Sequence, residues 1–97
     1  MEFTWALKKG DKTRIGITPF AVKELGEIVY IQLPKVGDVL KQGQDAVILE
    51  STKAATDITS PLPGRVTAIN YPLLETPSLI NGDPEGAGWL FEISSIT

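Results

Sequence analysis

Hydrophobic and polar positions alternate along much of the chain, which is the pattern of half-buried β-strands. Five short stretches rich in β-branched and aromatic residues stand between glycines and prolines: TRIGIT (13–18), EIVYIQL (27–33), DAVILES (45–51), RVTAIN (65–70) and WLFEIS (89–94). Short strands at such close intervals predict a mostly β domain, built as a sandwich or a flattened barrel.

One helix is predicted to interrupt the strands. Thr18 suits an N-cap, Pro19 suits the first turn, and residues 21–25 continue the helix. Gly26 fits the left-handed residue that commonly ends a helix. A second, shorter helical turn is predicted near residues 71–75, where two prolines leave little room for more.

Length and composition limit the possible functions. The chain has 97 residues and 42% hydrophobic content, enough for one compact domain, so residues 1–97 are taken as one unit. It contains no cysteine and no histidine, so disulfides, the commonest metal ligands and the commonest general base are missing. No stretch is long and apolar enough to span a bilayer, and the first residues lack the apolar core of a secretion signal, so we expect a cytoplasmic protein.

Charge is distributed unevenly along the chain. The net charge is −3, all nine Lys and Arg residues lie at or before Arg65, and the four acidic residues beyond it are unopposed. This acidic balance argues against nucleic-acid binding. It fits either ordinary solvated loops or a docking surface for a partner.

Lys53 stands near the midpoint of a predicted hairpin. Gly43 lies ten residues before it and Gly64 eleven after it, each beside a turn-like stretch, with apolar residues 46–49 and Ile58 on the two flanks. We therefore expect both glycines to form turns. On spacing alone, a lysine at a hairpin tip is a solvated cation.

The residues around Lys53 change that interpretation. ESTKAATD (50–57) resembles the modification motif of lipoyl carriers. The longer block from Ile15 to Asn70 resembles the H-protein family of the glycine cleavage system, and the similarity resumes at LINGDPEGAGWLFEI (79–93). The resemblance covers most of residues 5–94, with several blocks in the family's order and spacing.

The resemblance implies a lipoyl-domain fold, with two small antiparallel sheets and lipoic acid joined by an amide to Lys53 at a tight hairpin. The arm would swing between active sites of other proteins, so its anchor must project from a rigid turn. The positions that match the family's motif around the lysine are Glu50, Ser51, Thr52, Ala54 and Asp57. Glu50 matches a recognition element for the attaching enzyme, Ser51 and Thr52 complete the turn, Ala54 keeps the tip uncluttered, and Asp57 matches an acid near the cleft where the loaded arm rests.

The resemblance also implies the partners. They are a lipoate-attaching enzyme, a pyridoxal-phosphate glycine decarboxylase, a tetrahydrofolate-dependent aminomethyltransferase and a flavin-containing dihydrolipoyl dehydrogenase. The protein would be a non-catalytic carrier of an aminomethyl group and of reducing equivalents. We expect a monomer with transient contacts.

Three features depart from the family pattern. Phe3-Thr4-Trp5 stands where members commonly have His-Glu-Trp, Phe20 replaces a polar or histidine residue, and the chain ends at Thr97 without the family's further C-terminal helical segment. Loss of the acid favours an alternative, an H-like carrier that stores or relays lipoyl groups for another lipoyl-dependent system. The strongly similar block GITPFAVKELGEIVYIQLP favours glycine cleavage itself.

Other functions fit the sequence less well. A biotin carrier usually has methionines beside its lysine, whereas the only methionine here is Met1. An unmodified interaction domain does not account for Glu50, Lys53, Gly43 and Gly64 together. The sequence shows no nucleophile, metal-ligand cluster or phosphate-binding loop of the kind that an independent enzyme would need. Trp5 and Trp89 are predicted to pack at the core rather than to stack on a ligand.

Overall fold

The computed structural model describes residues 3–95. Strands and helices follow each other in the order β1 (Thr4–Lys9), β2 (Lys12–Ile17), α1 (Pro19–Leu25), β3 (Ile28–Gln32), β4 (Val39–Leu40), β5 (Asp45–Ser51), β6 (Ala55–Thr59), β7 (Gly64–Ile69), α2 (Pro72–Glu75), α3 (Leu79–Gly82) and β8 (Phe91–Ser94). The predicted mostly β class is confirmed.

The strands form two antiparallel sheets. One has five strands in the order β1-β2-β8-β7-β4, and the other has three in the order β3-β5-β6. Within residues 3–95 neither sheet closes on itself, so the fold is a flattened sandwich rather than a barrel. The alternating apolar side chains of both sheets meet in one core, whose largest fully buried members include Ile15, Ile17, Leu49, Leu90 and Phe91.

Helix α1 follows the predicted signals. The Thr18 hydroxyl accepts a hydrogen bond from the Ala21 backbone N–H at 3.1 Å, and Pro19 opens the helix. Gly26 ends it with a φ of 83°, a conformation that side chains strongly disfavour, and donates its N–H to the Val22 carbonyl. The helix therefore stops immediately before β3, on the side of the molecule that holds the hairpin tip.

The second helical turn is confirmed at Pro72–Glu75, but the sequence did not predict α3. Residues 79–82 form this helical turn, with Ile80 fully buried. Gly88 lies so close to this turn that a Cβ on it would come within 2.8 Å of the Ile80 Cα atom.

Strand β1 was also not predicted, because its sequence TWALKK shows little alternation of apolar and polar residues. In the structure residues 6–9 of this strand are exposed. It pairs with β2 along its whole length, and the ring of Trp5 lies across its cross-strand partner Gly16. The Trp5 indole N–H donates to the Pro84 carbonyl at 3.1 Å. The guanidinium of Arg14 stacks over the Trp89 ring at 4.3 Å from the centroid. Both tryptophans are half-buried and pack between neighbouring segments, outside the hydrophobic core in which they were predicted.

None of the helices within residues 3–95 combines the length and the apolar character that a membrane-crossing segment needs.

Candidate functional site

Lys53 lies at the tip of the β5–β6 hairpin, in the position that the sequence predicted. Glu50 pairs with Ala55 as the last ladder pair, and the Ser51 N–H donates to the Ala54 carbonyl at 2.9 Å to close the turn. Thr52 and Lys53 are the two residues beyond that closure, and both are exposed. The lysine therefore projects from the end of a hairpin into solvent.

The side chain of Ser51 stabilises the turn. Its hydroxyl oxygen accepts the N–H groups of Lys53 and Ala54 at 3.1 and 3.2 Å and donates to the Ala54 carbonyl at 3.2 Å. No non-glycine residue among those described has a positive φ, so this tip is built without the glycine or asparagine common in tight hairpin turns. The Ser51 hydroxyl supplies the local hydrogen bonds that order it.

The tip is also attached to the body of the protein. The Thr52 N–H donates to the Glu27 carbonyl at 3.1 Å, across the gap between the hairpin and the start of β3. The Lys53 stem extends over Gly26, where a Cβ would lie 3.5 Å from the lysine Cε and 3.9 Å from Nζ. The lysine therefore has a defined direction at its base, whereas its ammonium has no hydrogen bond or ion pair to any residue in the described part of the chain.

The outward face of the three-stranded sheet begins at this tip. Strand register aligns Tyr30, Glu50 and Ala55 in the first row and Gln32, Ile48 and Asp57 in the second. The exposed Glu50 side chain thus lies on this outward face near the lysine. Its cross-strand neighbour is Tyr30, which is 50% exposed.

Asp57 lies in a groove of about 520 Å³ on this face. Gln32 and Ile48, its neighbours across the strands, form part of the lining. The loop that includes Pro34, Lys35 and Asp38 forms another part. Thr4 and Phe20, which the sequence resemblance singled out as departures, are not among the residues that line this groove. Phe20 is 56% exposed, and its ring packs edge-to-face against the Phe3 ring, with 6.0 Å between the ring centroids.

The two glycines predicted to form turns differ in their structural roles. Gly43 has a φ of 84° in a turn at the other end of the β5–β6 hairpin and donates its N–H to the Ser60 carbonyl. Gly64 follows the preceding turn as the first residue of β7 and has no positive φ. It is buried, and a Cβ there would lie 2.6 Å from the Ser94 carbonyl oxygen, so close packing explains this glycine better than turn geometry.

One side chain near the tip was missed by the sequence analysis. Asn81, on α3, donates from Nδ2 to the Gly26 carbonyl and accepts at Oδ1 from the Ile28 N–H, both at 2.9 Å. It therefore bridges the chain segment that lies beneath Lys53. The only signal for it in the sequence was its place in the block LINGDPEGAGWLFEI.

Chemically, the site offers an exposed primary amine on an ordered support. Among residues 3–95 no group of three or more acidic side chains is arranged to hold a metal ion. The amine is an acceptor for an acyl group, and the exposed tip gives a modifying enzyme access to it.

Known proteins resemble this chain over most of its length. The sequence profile of the family described as "Glycine cleavage H-protein" matches residues 1–96. The glycine cleavage system H protein of Thermus thermophilus is 44% identical over 89 residues, which cover 92% of this chain and 70% of that protein. The protein of the same name from Myxococcus xanthus is 44% identical over 92 residues, covering 95% and 71%.

A solved structure gives the same result. The crystal structure of a glycine cleavage system H protein from Mycobacterium marinum superimposes with a TM-score of 0.90 at 35% sequence identity and covers 98% of this chain and 80% of that one. Since the profile match and the 44% identical relatives both extend over nearly all of the chain, the protein belongs to the glycine cleavage H-protein family.

Proposed function

We propose that Lys53 carries lipoic acid in amide linkage and that the protein is the carrier of the glycine cleavage system, moving an aminomethyl group and reducing equivalents between partner enzymes. Family membership supports the carrier role. The observation that supports Lys53 is its place beyond the closing pair of the hairpin, with an exposed side chain and an anchored backbone.

Attachment requires only the lysine amine from this chain. The Nζ atom attacks the carbonyl carbon of an activated lipoyl adenylate; an amide bond forms, the bond from that carbon to AMP breaks, and the amine loses a proton to solvent. The bound group supplies the sulfur chemistry that a chain without cysteine lacks. The chain itself supplies a fixed base for the arm, the Glu50 carboxylate beside it for recognition, and no acid–base or nucleophilic step in the cleavage reactions.

A tethered arm suits several partners. Lys53 lies beyond the last ladder pair of the β5–β6 hairpin and is exposed, so a partner can enclose the tip without enclosing the sheets. Tethering keeps the reactive group near a docked partner at an effective concentration on the order of millimolar. The partners proposed are the lipoate-attaching enzyme, the decarboxylase, the aminomethyltransferase and the dihydrolipoyl dehydrogenase of this system.

The test is the intact mass of the protein after incubation with a lipoate-attaching enzyme, lipoate and ATP. We expect an increase of one lipoyl group in the wild type and in Lys41→Arg, a control at another exposed turn lysine. We expect no increase in Lys53→Arg, because arginine keeps the charge but offers no primary amine. A folded wild type that gains no mass with several attaching enzymes would refute the proposal, and an increase with a biotin-attaching enzyme instead would replace lipoic acid with biotin.

The relay carrier is a second candidate, because by the resemblance Thr4 stands where family members carry an acid and Phe20 stands where they carry a polar or histidine residue. The lipoylated protein separates the two functions in an assay with the glycine decarboxylase. Release of carbon dioxide from glycine that depends on the lipoylated carrier supports glycine cleavage. A lipoylated protein that gives no such release, but passes its lipoyl group to other carriers, supports the relay.

A further inference from the structure

The backbone beneath Lys53 is held from both of its sides. In an extended segment, the carbonyl of one residue and the N–H of the residue two further on face the same side, while the carbonyl of the residue between them faces the other. Asn81 binds the Gly26 carbonyl and the Ile28 N–H on one side, and the Glu27 carbonyl accepts the Thr52 N–H on the other. The three residues 26–28 thus connect the Asn81 amide to the hairpin tip.

The side-chain amide of Asn81 acts here like one unit of a β-ladder. It presents a donor and an acceptor in parallel, as a peptide group of a neighbouring strand does, and both of its bonds measure 2.9 Å. It makes these bonds at a point where α1 has just ended and β3 has only begun: the Gly26 N–H is still held by the Val22 carbonyl of α1, but the Gly26 carbonyl and Glu27 lie outside both elements. The amide therefore supplies the order that regular secondary structure does not give this segment.

Asn81 itself has a rigid base. Ile80 beside it is fully buried, Leu79 packs against the core, and Gly88 closes over both. The Asp83 N–H donates to the Leu79 carbonyl at 3.0 Å, which completes the α3 turn. The support for the hairpin tip therefore originates in the segment before β8, far from it in sequence.

We propose that Asn81 is a positioning residue for lipoate attachment: by fixing residues 26–28 it holds the Thr52 N–H, and with it the base of the Lys53 side chain, in the geometry that the attaching enzyme requires. This inference rests on the proposed function of Lys53. The aliphatic part of the Lys53 side chain also lies over Gly26, which is a second contact between Lys53 and the segment that Asn81 holds. A shift of Gly26 would therefore move the surface on which this side chain rests. Asn81 does not touch the reacting amine and acts only through the backbone.

Asn70 provides a matched control. It is also a side-chain amide, 5% exposed, and its Nδ2 donates to two backbone carbonyls, those of Ala87 and Trp89, at 2.8 and 2.7 Å. These bonds hold the carbonyls on either side of Gly88, which packs on α3, and they do not directly involve residues 26–28 or the hairpin. Both variants remove side-chain amide hydrogen bonds: Asn70→Ala loosens the segment that carries Asn81, whereas Asn81→Ala removes the link to residues 26–28 itself.

The experiment measures attachment kinetics and hydrogen exchange on the wild type and both variants, at a temperature where thermal unfolding shows all three to be folded. With saturating lipoate and ATP, we expect kcat for attachment to Asn81→Ala to fall about tenfold, because the amine reaches the reacting geometry less often. Asn70→Ala should stay within about twofold of the wild type. Exchange of the Thr52 amide should speed up at least about tenfold in Asn81→Ala alone, because its acceptor is no longer held.

Asn81→Asp is the second variant, in case the alanine variant does not fold. Aspartate can still accept from the Ile28 N–H but cannot donate to the Gly26 carbonyl, so we expect the same changes in kcat and in Thr52 exchange. The inference is overturned if Asn81 variants are modified at the rate of Asn70→Ala, or if their Thr52 amide stays protected. If the wild type itself accepts no lipoate, the proposed function has failed, while the Thr52 exchange still tests the structural link.

Discussion

Within residues 3–95, two hairpin tips carry lysines, and they are built differently. The β1–β2 tip has Lys9 paired with Lys12 around a loop of Gly10 and Asp11, and Gly10 provides the turn with a φ of 64°. The β5–β6 tip has Lys53 in a turn without positive φ, ordered by the Ser51 hydroxyl and bonded to Glu27. The first tip depends on its own backbone, and the second depends on contacts with the rest of the molecule.

The difference suggests what an attachment site needs besides an exposed amine. Both tips are exposed, and space is open around the position where Gly10 lacks a Cβ. An enzyme that modifies one lysine must therefore distinguish them by more than charge and access. We infer that the fixed direction of Lys53, set by its neighbours at Gly26 and Ser51, is the part of the site that the β1–β2 tip does not reproduce.

Of the changes that test this comparison, moving the lysine by one residue should have the largest effect on the rate of attachment. The double variant Lys53→Arg, Ala54→Lys keeps a lysine on the same tip, but residue 54 closes the turn with Ser51 and directs its side chain differently. We expect attachment to slow by about a hundredfold, the scale of a misplaced reacting group. Steady-state kinetics with the lipoate-attaching enzyme measure this, with the single variant Ala54→Ser as control. Attachment at the wild-type rate would mean that exposure at a hairpin tip is sufficient.

Gly26→Ala should have the next largest effect, compared with Gly10→Ala. Gly26 has φ 83° and ψ −156°, a region open essentially to glycine alone, so alanine there should lower the free energy of unfolding by about 1–3 kcal/mol. Gly10→Ala should cost about 1 kcal/mol, the ordinary penalty for a left-handed residue. Denaturant unfolding measures both. Only Gly26→Ala should also slow attachment several-fold, because it shifts the backbone beneath Lys53; equal attachment rates would contradict the comparison.

Ser51→Ala should have a moderate effect, with Asp11→Ala as its counterpart on the other tip. The serine hydroxyl takes part in three hydrogen bonds within the turn. Because the tip is exposed, water replaces part of what is lost, and we expect about 1 kcal/mol less stability. Attachment should slow two- to fivefold, because the turn then samples other conformations in which Lys53 is misplaced. Asp11→Ala should leave attachment unchanged, and a slowing of equal size in both variants would show that the Ser51 turn has no special role.

Sequence patterns predicted the parts of this site that depend on neighbours in the chain. Thr18, Pro19 and Gly26 marked the helix, and alternation around Lys53 marked the hairpin, because capping and strand period act over a few residues. The bonds of Asn81 to Ile28 and Gly26 span 53 and 55 residues, and no local pattern encodes them. For the same reason no sequence pattern indicated that α3 supports the tip. Gly64 was attributed to a turn, although close packing against the Ser94 carbonyl is what requires a glycine there.

Arg14→Lys should have the smallest effect and tests whether the β1–β2 region serves stability alone. Arg14 binds the Glu92 carboxylate at 3.0 Å and stacks on Trp89, which ties β2 to β8, but its side chain is 44% exposed. Lysine keeps the charge and loses both the planar stacking and the paired donors. We expect a loss of about 0.5 kcal/mol, smaller again in high salt because an exposed ion pair is screened. Thermal unfolding at low and high salt measures this, and attachment to Lys53 should not change. A change in attachment would mean that the five-stranded sheet also influences the tip, through β8 and the segment that precedes it.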